Sequence, residues 1–144
     1  MNSSHIKICN VELLTELFGR FPTFHDAEVL RIELDRTDGD GPSLLSVIHM
    51  WEMTSDVDLN GTFKRRNSVE VRIRFSKIEN LTIDDFNHQN VLSDLYFEDS
   101  KNGLSEFKIM FEGIYGLHAE FECERVSIES VRPYKPATEA HPVR

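Results

Sequence analysis

A chain of 144 residues that is 40% hydrophobic and holds ten Phe has the length of one domain and enough apolar side chain to fill a core, which excludes a disordered acidic tail. Its 16 basic and 25 acidic side chains leave a net charge of −9. Such a surface repels phosphate backbones and anionic membranes, so neither nucleic acid nor membrane is expected as a partner, and a basic protein is favoured.

Residues 1–60 hold four of the basic and eleven of the acidic side chains, so most of the excess lies there and the rest of the chain is close to neutral. Asn10 reads as an N-cap, Val11, Leu13, Leu14, Leu17 and Phe18 recur at helical spacing, and Gly19 falls where a left-handed cap belongs; together they predict a helix that Pro22 closes off. From Ala27 the period becomes two. Residues 29–36 are predicted as a strand, 37–42 as a loop and 44–53 as a second strand, which makes a hairpin. The second strand is apolar on both faces. That predicts a central position, places Trp51 in the core and leaves open a homo-oligomeric contact through this sheet.

The polar stretch 54–67, with its basic run Lys64-Arg65-Arg66, is expected to leave the sheet as an exposed excursion. Residues 68–78 then alternate, with Val69, Val71, Ile73 and Phe75 on one side and Glu70, Arg72 and Arg74 on the other, and form the clearest strand in the chain. A short continuation at 81–86 and a helical turn or bend at 88–93 follow. Three more strands are predicted at 95–98, 105–112 and 117–131, with turns at 99–103 and 113–116. From residue 133 the chain carries Pro133, Pro136 and Pro142, which predicts an extended or disordered tail. The expected architecture is therefore α+β: residues 1–132 form one domain with its N-terminal helix packed on a largely antiparallel sheet of about six strands, and 133–144 form the tail.

Cys9 and Cys123 supply neither a disulfide framework nor a zinc spacing. No signal peptide and no membrane-length apolar run is visible, so a reduced, cytoplasmic protein is expected. There is no GxSxG elbow, P-loop or GxGxxG, and no cofactor or metal is expected.

Two constellations carry chemistry. His25 and Asp26, in the segment between helix and first strand, could act as general acid and base or as metal ligands. Neighbours on an extended segment point to opposite sides, however, so the competing reading has Phe21 and Phe24 anchoring the crossing while His25 and Asp26 satisfy backbone groups in a bend. On the last strand His118, Glu120, Glu122 and Glu124 share one face, which could bind a hard cation or a basic partner. The competing reading is a solvated face whose acids pair with Arg72 and Arg74. Side chains spaced by two along a strand lie about 7 Å apart and cannot share one ion unaided.

The run Leu17-Phe18-Gly19-Arg20-Phe21-Pro22-Thr23-Phe24-His25-Asp26-Ala27-Glu28-Val29 resembles the opening signature of the immunity protein 50 family, small bacterial proteins held to neutralise toxins of polymorphic or contact-dependent systems. Phe86-Asn87-His88-Gln89-Asn90-Val91-Leu92 resembles its middle motif. Residues 116–124, Gly-Leu-His-Ala-Glu-Phe-Glu-Cys-Glu, with Val131-Arg132-Pro133, resemble its C-terminal strand. The resemblance covers roughly 13–133 and departs mildly at Phe21, where the family commonly has Trp. It implies a non-enzymatic inhibitor of a cognate toxin domain, brings no catalytic residues with it, and marks Phe24, His25, Asp26, Glu28, Asn90 and Glu122 as structural or functional positions. The expected toxin-binding set is Glu28, Glu33, Asp35, His118, Glu120, Glu122 and Glu124, which would form one acidic ridge if the two acidic regions are neighbours. The alternatives are a small metal-dependent or acid-base enzyme centred on His25 and Asp26, and a homo-oligomeric structural module.

Overall fold

A computed structural model describes residues 7–39, 41–57, 59–61, 63–101 and 105–135. The predicted helix is α1, Glu12–Phe18, which buries Leu14 and Phe18 and ends on Gly19 in the left-handed conformation (φ 79°). Asn10 does not cap it. The N-cap is Val11, without a side-chain cap bond, and Asn10 itself has φ 60° and turns its amide to donate to the Ile128 carbonyl at 3.3 Å.

The remainder is sheet: β1 Glu28–Asp35, β2 Ser43–Val57, β3 Phe63–Ser76, β4 Glu79–Asp84, β5 Val91–Asp99, β6 Phe107–Tyr115, β7 His118–Cys123 and β8 Arg125–Pro133. The expected helix on an antiparallel sheet is present, but with eight strands among the described residues instead of about six. Residues 79–84 form a strand of their own, and the long predicted strand at 117–131 is two strands broken at Glu124. Stretch 54–67 is not an excursion from the sheet. β2 and β3 run on through it as a hairpin ladder that pairs Glu52 with Arg66, Met53 with Arg65 and Val57 with Phe63. Backbone pairing in an outlying two-stranded ribbon needs no buried face, so its polar sequence carries no alternation to read.

Strand order is β4-β7-β6-β5-β1-β2-β3-β8. β4 lies at one end of that order and β3 next to the other although only Lys77 and Ile78 separate them, and β8 and β7 are placed likewise with only Glu124 between. Three Cα steps reach at most about 10 Å, the spacing of two packed sheets. The ends must therefore meet, and the sheet folds over into two four-stranded halves, β4–β7–β6–β5 and β1–β2–β3–β8. The two crossings lie side by side, since the Glu124 amide donates to the Ser76 carbonyl at 3.0 Å.

Aromatic packing fills the space between the halves. Phe75 of β3 lies 5.1 Å from Phe121 of β7, 5.8 Å from Phe111 of β6 and 6.3 Å from Phe97 of β5, ring centre to ring centre. All four side chains are fully buried, within one core that also takes in Leu14, Phe18 and Phe24. The N-terminal segment extends the β8 edge through a parallel bridge between Cys9 and Ser127.

β2 is buried on both faces, as expected of a central strand. On its outer face Leu45 and Val47 are 5% and 4% exposed, flanked by Arg74 and Arg72 on β3 and by Glu33 and Arg31 on β1. Trp51, in contrast, is only half-buried and lies outside the core. At the other end Pro133 closes β8, the Tyr134 amide donates to Ser68 at 3.0 Å and its ring stacks on His49 at 3.7 Å. The predicted tail from 136 onward and residues 102–103 of the predicted turn at 99–103 lie outside the described residues. No helix among the described residues is long and apolar enough to cross a membrane.

Candidate functional site

The segment from Gly19 to Ala27 crosses from helix to sheet on its aromatic side chains. Phe24 is buried, and Phe21 packs edge-on against Phe97 at 5.6 Å and tilted against Phe24 at 6.0 Å. Asp26 takes φ 68°, a conformation that Asp tolerates better than most residues. Its amide donates to the Leu92 carbonyl at 2.8 Å, and Leu92 donates back to Ala27 at 2.9 Å. The left-handed turn is also what brings neighbouring side chains together: His25 Nδ1 lies 3.2 Å from Asp26 Oδ2, both more than half exposed. The expectation that they would diverge rested on extended backbone, which Asp26 does not have. His118 is not part of this pair. It lies 3.5 Å from Glu120 and opposite Asp84 on β4, and among the described residues no hydrogen bond or ion pair joins it to His25 or Asp26. Nor do any three His, Cys, Asp or Glu side chains among those residues group as a metal site would require.

Asn90 is 3% exposed and holds the entry to β5. Its Oδ1 accepts from the Asn87 amide at 3.0 Å and the Leu117 amide at 3.1 Å, while Nδ2 donates to the Asn87 carbonyl at 2.9 Å. It ties the β6–β7 turn to the start of β5.

β7 alternates as predicted, with Ala119, Phe121 and Cys123 buried and His118, Glu120 and Glu122 half-buried on the outer face. Strand pairing then adds residues that the sequence alone does not place together. Glu120 faces Met110, and Met110 faces Tyr96; Glu122 faces Lys108, and Lys108 faces Glu98; Glu112 faces Asp94. The outer face of β5, β6 and β7 is thus a field of carboxylates around Met110 and Tyr96, with Lys108 as its basic member. Glu112 accepts from the Ser93 hydroxyl at 2.8 Å and from the Tyr96 hydroxyl at 3.3 Å. The negative charge of Glu112, with some desolvation and the charge of Asp94, raises the Tyr96 pKa above that of an ordinary phenol. Glu122 accepts from Asn80 at 2.9 Å and Ser100 at 2.9 Å. Glu124 sits in the crossing to β8, 3.5 Å from Lys77.

The outer face of the other half is more nearly balanced, with three arginines set among its carboxylates. Arg31 meets Glu33 at 2.7 Å, Arg72 meets Glu70 at 3.3 Å, and Arg74 bridges Asp38 at 3.3 Å and Glu129. Asp35 accepts from the Thr37 hydroxyl and amide, both at 2.8 Å, and these bonds hold its pKa below the usual carboxylate value. Arg72 and Arg74 therefore do not neutralise the β7 acids; they face another half of the molecule. Glu33 and Asp35 likewise stand apart from Glu120 and Glu122, with β5 and β6 between their strands. The expected single ridge of all these acids does not form.

The halves join at one row of the ladder, where Tyr115, Val91, Glu28 and His49 follow one another across β6, β5, β1 and β2. An open groove of about 570 Å³ lies on this seam. Its walls are the carboxylates of Asp26 and Glu28, the rings of His49, Trp51 and Tyr134, and the side chains of Gln89 and Val91. Placing Trp51 in the core on its apolar neighbours missed this aromatic wall. The two-residue period from His49 to Trp51, on the face that carries Arg72 and Arg74 next door, was the signal available.

The described residues thus form a small, largely antiparallel β domain with one helix, carboxylates on one outer face and a groove on the seam. The family model of Immunity protein 50 matches residues 10–134, and the chain belongs to that family. Searches of curated proteins and of solved structures gave no match.

Proposed function

We propose that this chain neutralises a cognate bacterial toxin by binding it, without catalysis, and that it works in the cytoplasm of the cell it protects. Membership of the immunity protein 50 family carries this reading. What supports a binding mechanism is the acidic outer face of β5, β6 and β7, where Glu98, Glu112, Glu120 and Glu122 surround Met110 and Tyr96. Such a field draws in a basic active-site cleft and selects among partners, while the apolar and aromatic side chains at its centre hold the complex once water is expelled. The toxin's cleft is then covered and its substrate excluded. Within the expected contact set, Glu120, Glu122 and His118 belong to this face, Glu28 to the adjoining seam and Glu124 to its end. Glu33 and Asp35 lie on the more nearly balanced face and are left out of the contact.

Coexpression with a toxin domain, sought first in the gene next to this one, tests the reading. Growth of the producing cell is expected to be rescued by the wild-type chain, and toxicity undiminished at equal expression would overturn the proposal.

A further inference from the structure

The seam groove has a chemistry of its own. Asp26 and Glu28 line it with two acidic residues, Asp26 Oδ2 also lying 3.2 Å from His25 Nδ1, and His49, Trp51 and Tyr134 line it with aromatic rings. The rings are held in place: His49 stacks on Tyr134 at 3.7 Å, lies 4.7 Å from Trp51, and contacts the Ser68 hydroxyl at 2.8 Å through Nε2. Gln89 adds an amide, and no Lys or Arg lines the groove among the described residues. A compact ammonium ion could pair with the carboxylates and sit over a ring, but only as a point charge that neither stacks flat nor bridges the acids with a fork of donors. A flat, delocalised cation with several N–H donors uses both, by charge-assisted hydrogen bonds to the acids and by stacking on the aromatic faces.

We propose that this groove is a socket for an arginine side chain of the bound toxin. The inference rests on the toxin-binding reading and deepens it. Arginine is a favoured anchor residue at protein interfaces, and a site of this kind buries its guanidinium against rings while pairing its charge. The socket lies on the one row at which both outer faces meet, so an arginine seated there fixes the position of a toxin already drawn in by the acidic face.

Trp51 is the sole Trp of the chain, and its fluorescence reports on the groove directly. The full chain is titrated with N-acetyl-arginine methylamide, and in parallel with the lysine and citrulline analogues at matched ionic strength. A saturable change is expected with the arginine compound, a weaker one with lysine and none with citrulline. Asp26→Asn, which keeps a residue tolerant of the left-handed backbone, and Glu28→Gln are each expected to weaken arginine binding by roughly tenfold, as loss of one charge-assisted bond implies. No saturable change, or an equal response to citrulline, overturns the socket. Protection from the toxin is scored separately: a flat titration with protection intact removes the socket alone, and a wild-type chain that fails to protect removes the toxin-binding reading.

Discussion

Glu28 stands opposite Val91, the one residue pair in register between β1 and β5. Around it the halves are stitched by few backbone bonds: Asp26 to Leu92 at 2.8 Å, Leu92 to Ala27 at 2.9 Å and Val29 to Asn90 at 2.8 Å. β2 and β3, in contrast, remain paired along most of their length. The seam is therefore the least supported ladder of the sheet, and local opening follows low support. In native-state hydrogen exchange the amides of Asp26, Val29 and Leu92 are expected to exchange through an opening cheaper than global unfolding, while those of Val71 and Ile73 exchange only with the whole domain. Equal protection at both places would show that the halves open as one.

Asn90 and Gly116 form the other fastening of this region. Removing the Asn90 side chain leaves the buried Leu117 amide without its acceptor, so Asn90→Ala is expected to cost about 2–3 kcal/mol in urea unfolding. At Gly116, φ is 75°, and an added Cβ would lie 2.3 Å from the Gln89 carbonyl oxygen and 2.6 Å from Asn90 Oδ1. Gly19 has a similar φ of 79° with nothing within 4 Å. Gly19→Ala is expected to cost only the backbone penalty of about 1–2 kcal/mol, and Gly116→Ala clearly more. Equal losses for the two would mean that the β6–β7 turn yields without cost.

The two thiols are expected to behave differently. Cys9 is exposed and Cys123 is buried, and burial pushes the Cys123 thiol up to about 12. In a thiol-reagent assay at pH 8 Cys9 reacts at once, and Cys123 only as fast as the domain unfolds. Linkage gives a second consequence. The folded state keeps Cys123 protonated while the unfolded chain ionises near the ordinary thiol value of 9.0; the resulting stabilisation is fully present below pH 9 and is lost as pH rises toward 12. Stability should therefore fall less steeply over that range in Cys123→Ala than in the wild type, and identical slopes would contradict it.

Much of the fold could be read from spacing, because α1 and the strands of the core expose one apolar period to selection. The helix follows from Leu13, Leu14, Leu17 and Phe18, and β3 from Val69 to Phe75. The break at Glu124 was harder, since no Gly or Pro marks it. Its trace is a change of phase: Phe121 and Cys123 are buried at odd positions, Val126 and Ile128 at even ones. The acidic face could not be assembled from sequence, because Glu98, Glu112 and Glu120 become neighbours only through strand order, which local pattern does not encode. The resemblance of 21–29 marked His25 and Asp26, yet the turn that joins them depends on a positive φ at Asp26 that no spacing reveals.

The central claim, that the toxin is captured by the outer face of β5, β6 and β7, is tested most directly by stopped-flow association of the cognate toxin domain with charge-reversed variants. Glu98→Lys with Glu120→Lys is compared with Glu33→Lys on the more nearly balanced face, each checked for native circular dichroism. The account predicts that the first pair lowers the association rate by roughly tenfold or more at low salt and flattens its salt dependence, with Glu33→Lys close to wild type. Unchanged association in the first pair, or an equal loss in Glu33→Lys, would contradict it.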